Sequence, residues 1–234
     1  MIQLAPLYPI IHQILKPTFP SCLWSGTGTS PTIALTFDDG PHPQHTPKLL
    51  KILDKYNITA SFFSLGTCIQ HSPSIAKQVY QSGHWLGLHG WTHQNFPSLS
   101  PYQLKQSLEQ TQTAIAKACD LDIQYVKNNI RDVRPPNGIF TPQTLQYLQQ
   151  WDYRPVMWSI VPEDWVRPGV SIVIERVMQQ VKPGSLIVLH DGYCGGEDVT
   201  ETAALLIPRL LDQGYQFVTI EQLWSCQKTP NINP

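Results

Sequence analysis

From about residue 31 to residue 224, short apolar runs alternate with amphipathic helical segments, and this alternation limits the folds open to the chain. Strands are expected at 32–37, 59–64, 85–88, 132–134, 154–160, 185–189 and 216–219. Four of the intervening helices carry the same start signal: Thr46 before Pro47, Ser72 before Pro73, Ser100 before Pro101 and Thr141 before Pro142. In each, a hydroxyl N-cap precedes a proline at the first helical position, where its missing N–H costs nothing. Asn57, Gly83 and Gly214 each follow a helical run and suit a left-handed C′ residue. Strand–helix alternation implies a parallel sheet with helices outside it. Seven such units favour an α/β fold of the (β/α) barrel type over an open sheet.

A chain of 234 residues fits one large domain. No linker, repeat or low-complexity tract divides it. The expected organisation is an N-terminal extension over 1–30, one catalytic domain over 31–224 and a C-terminal tail over 225–234. Charged residues make up 14% of the chain, well below the roughly 25% of an ordinary soluble protein. With a net charge of −1 and no long Lys/Arg cluster, nucleic acid is excluded as the main partner. A neutral ligand such as a carbohydrate fits this balance. No stretch has the length of a membrane span, so no transmembrane segment is expected. Pro6, Pro9, His12 and Gln13 interrupt the apolar start, so no signal peptide is read there and export stays open. The five cysteines include Cys22 and Cys226, which flank the expected domain and either clip its ends together or remain thiols.

The polar signals gather where the strands end. The segment TFDDGP at 36–41 closes the first strand, and its two carboxylates, Asp38 and Asp39, diverge and can serve different tasks. A bare Asp-Asp-Gly is more often a solvated turn, so the case needs support from elsewhere. His89 and His93 follow the third strand; on a helical turn, residues four apart share a face and can reach one ion. With an acid from another strand end they make a two-His, one-carboxylate set that leaves coordination positions open. Arg134 to Gly138 (RPPNG) follow the fourth strand, Asp164 and Trp165 the fifth, and His190 and Asp191 end the sixth. In α/β barrels these strand ends converge on the face that holds the active site.

These motifs, in this order and spacing, resemble the polysaccharide deacetylase (NodB-homology) family, carbohydrate esterase family 4, over residues 31 to about 223. The resemblance implies a distorted (β/α) barrel of about seven parallel strands. It implies that Asp38 is the general base, oriented by Arg134, and that Asp39, His89 and His93 bind a divalent metal. That ion is most often zinc, with Co2+ or another divalent ion an alternative. His190 would be the general acid, tuned by Asp164. The Asn137 N–H would face the oxyanion, and Trp165 and Val188 would wall the acetyl pocket. Gly90, Gln94, Asn137, Val161 and Val188 depart from the common pattern, which bears on substrate preference rather than on the reaction.

The chemistry explains why these residue types are needed. A divalent ion polarises a carbonyl and lowers the pKa of a bound water towards about 7. A base must take the proton of the attacking water, and an amine leaves only when protonated. The implied activity is metal-dependent removal of N-acetyl groups from an N-acetylglucosamine polymer or oligomer, chitin-like, peptidoglycan or exopolysaccharide. An O-acetyl esterase of the xylan type shares the whole site and is the alternative. A glycoside hydrolase has no use for the His pair. An inactive glycan-binding module is disfavoured by the intact Asp38 and His190. His42, His45 and His84 are expected as loop or surface histidines, and His12 and His71 carry no site signal. Trp91 and Tyr193 either stack on a sugar face or pack at the rim. Cys194, close to His190, has at most a minor role as an extra ligand or redox group.

Overall fold

In the computed structural model, β1 (Thr32–Asp38) is buried on both faces, with Ile33, Ala34, Leu35 and Phe37 fully enclosed. This is why its sequence is a continuous apolar run: outer helices cover one face of a parallel barrel strand and the barrel interior covers the other. The structure describes residues 5–193 and 195–228, with side chains as far as Ser225. Helix α1 (Tyr8–Thr18) precedes β1, and α2 (His45–Lys55), β2 (Ser61–Ser64), α3 (Gly66–His71), α4 (Pro73–Gln81) and β3 (Trp85–Leu88) follow it. Next come α5 (Pro101–Cys119), α6 (Ile123–Asn129), β4 (Asp132–Val133), α7 (Pro142–Gln150) and β5 (Arg154–Pro155). The chain continues through α8 (Val170–Met178), β6 (Leu186–His190), α9 (Val199–Asp212), β7 (Gln216–Phe217) and α10 (Ile220–Lys228).

The sheet runs β5-β4-β3-β2-β1-β6, with β7 also on β1, and every pairing is parallel. A bridge between Ile160 and Ile187 links the segment after β5 to β6 and draws the sheet round. The architecture is therefore the expected distorted barrel, curled and held at that seam by few bonds. No helix of the described residues is long and apolar enough to cross a membrane.

The expected strand at 154–160 shrinks to two residues. The Val156 N–H still donates to the Val133 carbonyl at 2.8 Å, and beyond it the chain leaves β4 while its other edge pairs with a different partner. The Leu23 N–H donates to the Pro155 carbonyl at 2.9 Å, and the Met157 N–H donates back to Leu23 at 2.8 Å. Residues before β1 therefore stand in for a strand neighbour. Leu23 and Trp24 are buried in the core. Edge-to-face contacts of Trp24 on Trp158 (5.7 Å), Phe19 on Phe140 (5.0 Å) and Tyr8 on Trp158 (5.3 Å) hold α1 to the barrel.

Helix starts follow the sequence signals with one correction. Ser100 and Thr141 form reciprocal capping boxes with Gln103 and Thr144, and Ser72 occupies the N-cap of α4 without a side-chain cap bond. Thr46, expected as an N-cap, lies inside α2, which begins at His45. Its hydroxyl accepts the His42 N–H at 2.8 Å and donates to the buried carboxylate of Asp191, so it serves the loop above the helix. Asn57, Gly83 and Gly214 have φ of 49°, 79° and 84°, the left-handed stops expected of them. His42 and His84 are buried, not surface groups. His42 Nδ1 accepts the N–H groups of Gln44 and His45 and so caps the local turn, while His84 Nδ1 accepts that of Ala60 just before β2. The Cys226 side chain, and with it the expected Cys22–Cys226 clip, lies outside what the structure describes, as does Cys194.

Asp132, fully buried on β4, accepts from Trp85 Nε1 (2.7 Å), Trp224 Nε1 (2.9 Å) and Arg154 (2.8 Å). Burial pushes its carboxyl pKa up, and the Arg154 guanidinium opposes the rise. Replacing it with alanine strands two indole donors at once and leaves the Arg154 guanidinium only its ion pair with Glu221. Asp132→Ala is expected to lose about 3–5 kcal/mol of stability, read from the midpoint and slope of urea unfolding.

Candidate active site

Parallel register sets the side chains of neighbouring strand ends next to one another. Asp38, the last residue of β1, pairs in register with His190, the last of β6. Leu88 pairs with Val133, so the residues that follow them, His89 and Arg134, are neighbours on the same rim. The Arg134 N–H donates to the Leu88 carbonyl at 2.9 Å, which fixes that pairing. Loops supply the rest. Asp39 has φ 72°, and this left-handed step parts its carboxylate from that of Asp38.

The His89–His93 segment is not a helical turn, contrary to the expectation. Gly90 has φ 91°, and the chain bends through 91–93 without helical hydrogen bonding. Only a residue without a Cβ adopts that conformation cheaply. The bend still brings His89 Nε2 to 3.3 Å and His93 Nε2 to 3.4 Å from Asp39 Oδ1. All three donor atoms lie within 4.8 Å of one another.

The donor set fits a divalent cation. His89 Nδ1 lies 2.7 Å from the Arg134 carbonyl, which only accepts, so the ring proton is on Nδ1 and Nε2 presents a lone pair. That lone pair faces a carboxylate oxygen, and two acceptors at 3.3 Å repel unless a positive charge lies between them. Asp39 Oδ1 is buried and has no hydrogen-bond donor in good geometry among the described residues. An ion satisfies both groups.

Two charged pairs flank this set. Arg134 is buried, and its guanidinium donates to Asp38 Oδ1 (2.6 Å), Thr36 Oγ1 (2.9 Å) and the Met157 carbonyl (2.9 Å), while stacking over Phe63. Asp38 is thereby held in one rotamer beside a fixed cation. On the other side, Asp164 accepts from the His190 main-chain N–H at 2.7 Å and faces His190 Nδ1 at 2.8 Å. Burial opposes charge on this imidazole, but Asp164, with Asp39 and Asp38, raises its pKa to about 9. His190 is therefore protonated at neutral pH, with Nε2 free to donate.

A cavity of about 570 Å3 connects these groups. Asp38, Asp39, His89, His93, Arg134 and His190 lie along it together with Asn137, Trp165 and Val188, so nine of the ten sequence-expected site residues border one space. The tenth, Asp164, stands behind His190. Asn137 sits at φ 57° in the 136–138 turn, whose two backbone bonds come from Gly138 and Ile139, leaving its own N–H out of them. Trp165 packs edge-to-face on His190 at 5.0 Å. Tyr193, 67% exposed, stands at the rim. Trp91 does not reach this cavity; it presses on Gly66 and borders a separate groove beside α5.

Val161, a departure from the common pattern, also lines the cavity, and sequence reasoning missed Tyr8, Leu65 and Trp158 as lining residues. None carries a local signal, since each reaches the cavity only through tertiary packing. It also gave Asp191 no role. Asp191 is fully buried, donates its N–H to the Asp38 carbonyl at 3.1 Å and lies against Gly40, so it braces the turn that carries both acids. Burial pushes its carboxyl to about 7, and the Thr46 hydroxyl opposes the rise.

Comparison with known proteins agrees with this geometry. Residues 25–156 match the family model described as polysaccharide deacetylase. A peptidoglycan-N-acetylglucosamine deacetylase of Bacillus cereus is 33% identical over 219 residues, covering 92% of this chain and 97% of that protein. A chitooligosaccharide deacetylase of Sinorhizobium fredii is 32% identical over 209 residues, covering 85% and 94%. Among solved structures, Bacillus subtilis PdaA, a family 4 carbohydrate esterase, superposes with a TM-score of 0.80 at 27% identity, covering 92% of this chain and 89% of that one. The barrel, the clustered strand-end motifs and these relatives lead to one conclusion: the chain belongs to the polysaccharide deacetylase (NodB-homology) family, carbohydrate esterase family 4.

Proposed function

We propose that this chain hydrolyses N-acetyl groups on an N-acetylglucosamine-containing glycan and releases acetate, using residues 31–224 as its catalytic domain. The observation that carries the reading is one cavity in which a carboxylate pinned by arginine and an imidazolium pinned by aspartate flank a three-donor cation set. The two relatives above, named for deacetylation of peptidoglycan N-acetylglucosamine and of chitooligosaccharides, support the substrate class.

In this reading Asp39, His89 and His93 hold a divalent ion, with zinc favoured by the nitrogen-rich donor set. When bound, the ion supplies Lewis-acid polarisation of the acetyl carbonyl and acidifies the attacking water. Asp38, held in place by Arg134, takes the proton of that water as it adds to the carbonyl carbon. The Asn137 N–H faces the oxygen on which negative charge grows; losing one such donor typically costs roughly 10²–10³ in rate. His190 delivers its Nε2 proton to the sugar nitrogen, and Asp164 stabilises the imidazolium until that moment. Trp165 and Val188 wall the acetyl methyl and keep bulk water out.

The test is acetate release from N-acetylated oligosaccharides, peptidoglycan and acetylxylan, before and after chelation. Acetate is expected from the first two substrates, falling at least a hundredfold on chelation and returning with added Zn2+. Full activity after rigorous chelation overturns the metal-dependent reading. Acetate from acetylxylan alone moves the assignment to an O-acetyl esterase, and shortening of the glycan points to a glycoside hydrolase.

A further inference from the structure

Helix α1 precedes the residues matched by the family model, yet its first residue borders the catalytic cavity. Tyr8 is half-buried there, beside Trp158, Asn137 and Gly138. We propose that Tyr8 is a specificity-determining residue whose ring forms a stacking platform for a pyranose unit of the glycan. The proposal rests on the deacetylase reading for the identity of the ligand.

The cavity carries the argument first. At about 570 Å3 it lies in the range of sites that enclose a whole small ligand, well beyond the needs of an acetyl group. The reacting acetamide must reach Asp38 and His190, so the sugar bonded to its nitrogen has to occupy the outer part of the same space. A pyranose presents a flat C–H face, and an aromatic ring with a polar tip suits it. Among the other aromatic side chains along the cavity, Trp165 packs on His190, Trp158 is almost fully buried, and Tyr193 stands out at the rim with its ring edge-to-face on His42.

Tyr8 is also held ready for that task. Its ring meets Trp158 at 5.3 Å with the planes at 88°, and Trp158 meets Trp24 at 5.7 Å. Trp24 is enclosed in the core and donates its indole N–H to the Phe19 carbonyl at 3.0 Å. Trp158 also lies against the turn that carries Asn137, where a Cβ on Gly138 would meet its indole nitrogen at 3.0 Å. This chain of rings fixes the Tyr8 plane relative to the 136–138 turn, so little side-chain freedom is left to lose on binding. Burial and the nearby Glu163 charge raise the Tyr8 phenol, which stays protonated and able to hydrogen-bond a sugar hydroxyl.

The test compares wild type with Tyr8→Ala, Tyr8→Leu and Tyr8→Phe on a tetramer of β-1,4-linked N-acetylglucosamine. Acetate release gives KM and kcat, calorimetry gives Kd, and a thermal melt reports folding. Tyr8→Ala and Tyr8→Leu are each expected to raise KM and Kd about five- to tenfold, with a smaller fall in kcat, and Tyr8→Phe to stay within about threefold of wild type. Leucine keeps an apolar contact with Trp158 but has no flat face. Recovery of KM and Kd in Tyr8→Leu would therefore overturn the platform and leave only a packing role. Unchanged KM and Kd in both Tyr8→Ala and Tyr8→Leu would overturn it as well. If wild type binds the tetramer and releases no acetate, the deacetylase reading fails, and the Kd series still decides the role of Tyr8.

Discussion

His190→Ala is expected to lower kcat for acetate release from an N-acetylated oligosaccharide by about 10²–10⁴, while an activated acetate ester loses less than tenfold. The difference follows from the leaving groups: an amine departs only when protonated, whereas an activated alkoxide or phenoxide departs unaided. His190 is built to supply that proton. Asp164 holds its Nδ1 side at 2.8 Å, leaving Nε2 as the donor. Equal losses on amide and ester would remove His190 from the role of acid.

The pH dependence follows from the same pair. Burial disfavours the imidazolium, but Asp164 and the two site carboxylates more than offset this and raise its pKa from 6.5 to about 9. Because the folded pKa is raised, the stability that the protonated pair contributes is complete below about 6.5 and is lost as pH rises through about 9. Deacetylation is expected to fall over the same upper limb. A divalent ion on Asp39 cancels part of the negative charge that raises His190, so the limb of the metal-loaded enzyme lies below 9. A pH–rate profile of kcat/KM that stays flat through pH 9 would contradict the assignment.

Asp38→Asn is expected to lower kcat by about 10²–10⁴ while the protein keeps its bound metal. Asparagine retains the shape and still accepts from Arg134, but it cannot take a proton from water. Asp39→Asn is expected to lose activity by a different route, through loss of the ion, and metal analysis of the two purified variants separates the adjacent acids. Truncation to Asp38→Ala carries a further cost. Arg134 is buried, and the remaining acceptors, Thr36 and the Met157 carbonyl, are neutral, so about 3–5 kcal/mol of stability is expected to go. Retained metal with retained activity in Asp38→Asn would exclude Asp38 as the base.

Strand–helix alternation and its punctuation were legible in the chain, since capping hydroxyls, helix-starting prolines and left-handed stops are local in their physics. Ser100, Thr141, Asn57, Gly83 and Gly214 behave as their sequence contexts suggest. Thr46 does not, because a buried acid 145 residues away takes its hydroxyl. The strand at 154–160 was overread for a similar reason: its apolar character comes from burial, while its backbone bonds are divided among Val133, Leu23 and Leu186. His89 and His93 were rightly grouped but wrongly placed on a helical turn, because spacing alone does not reveal that Gly90 bends the chain at φ 91°.

By itself the sequence determined which chemistry is available: two acids at one strand end, a spaced histidine pair, and an arginine, aspartate and histidine at others. Tertiary structure decided the division of labour. Parallel register sets Asp38 beside His190, the left-handed step at Asp39 turns its carboxylate towards the two imidazoles, and Arg134 arrives from a strand nearly a hundred residues further along. Tyr8 and Asp191 became visible only in the fold. A residue that acts through burial or through a distant wall leaves no periodicity, spacing or cap in its own neighbourhood.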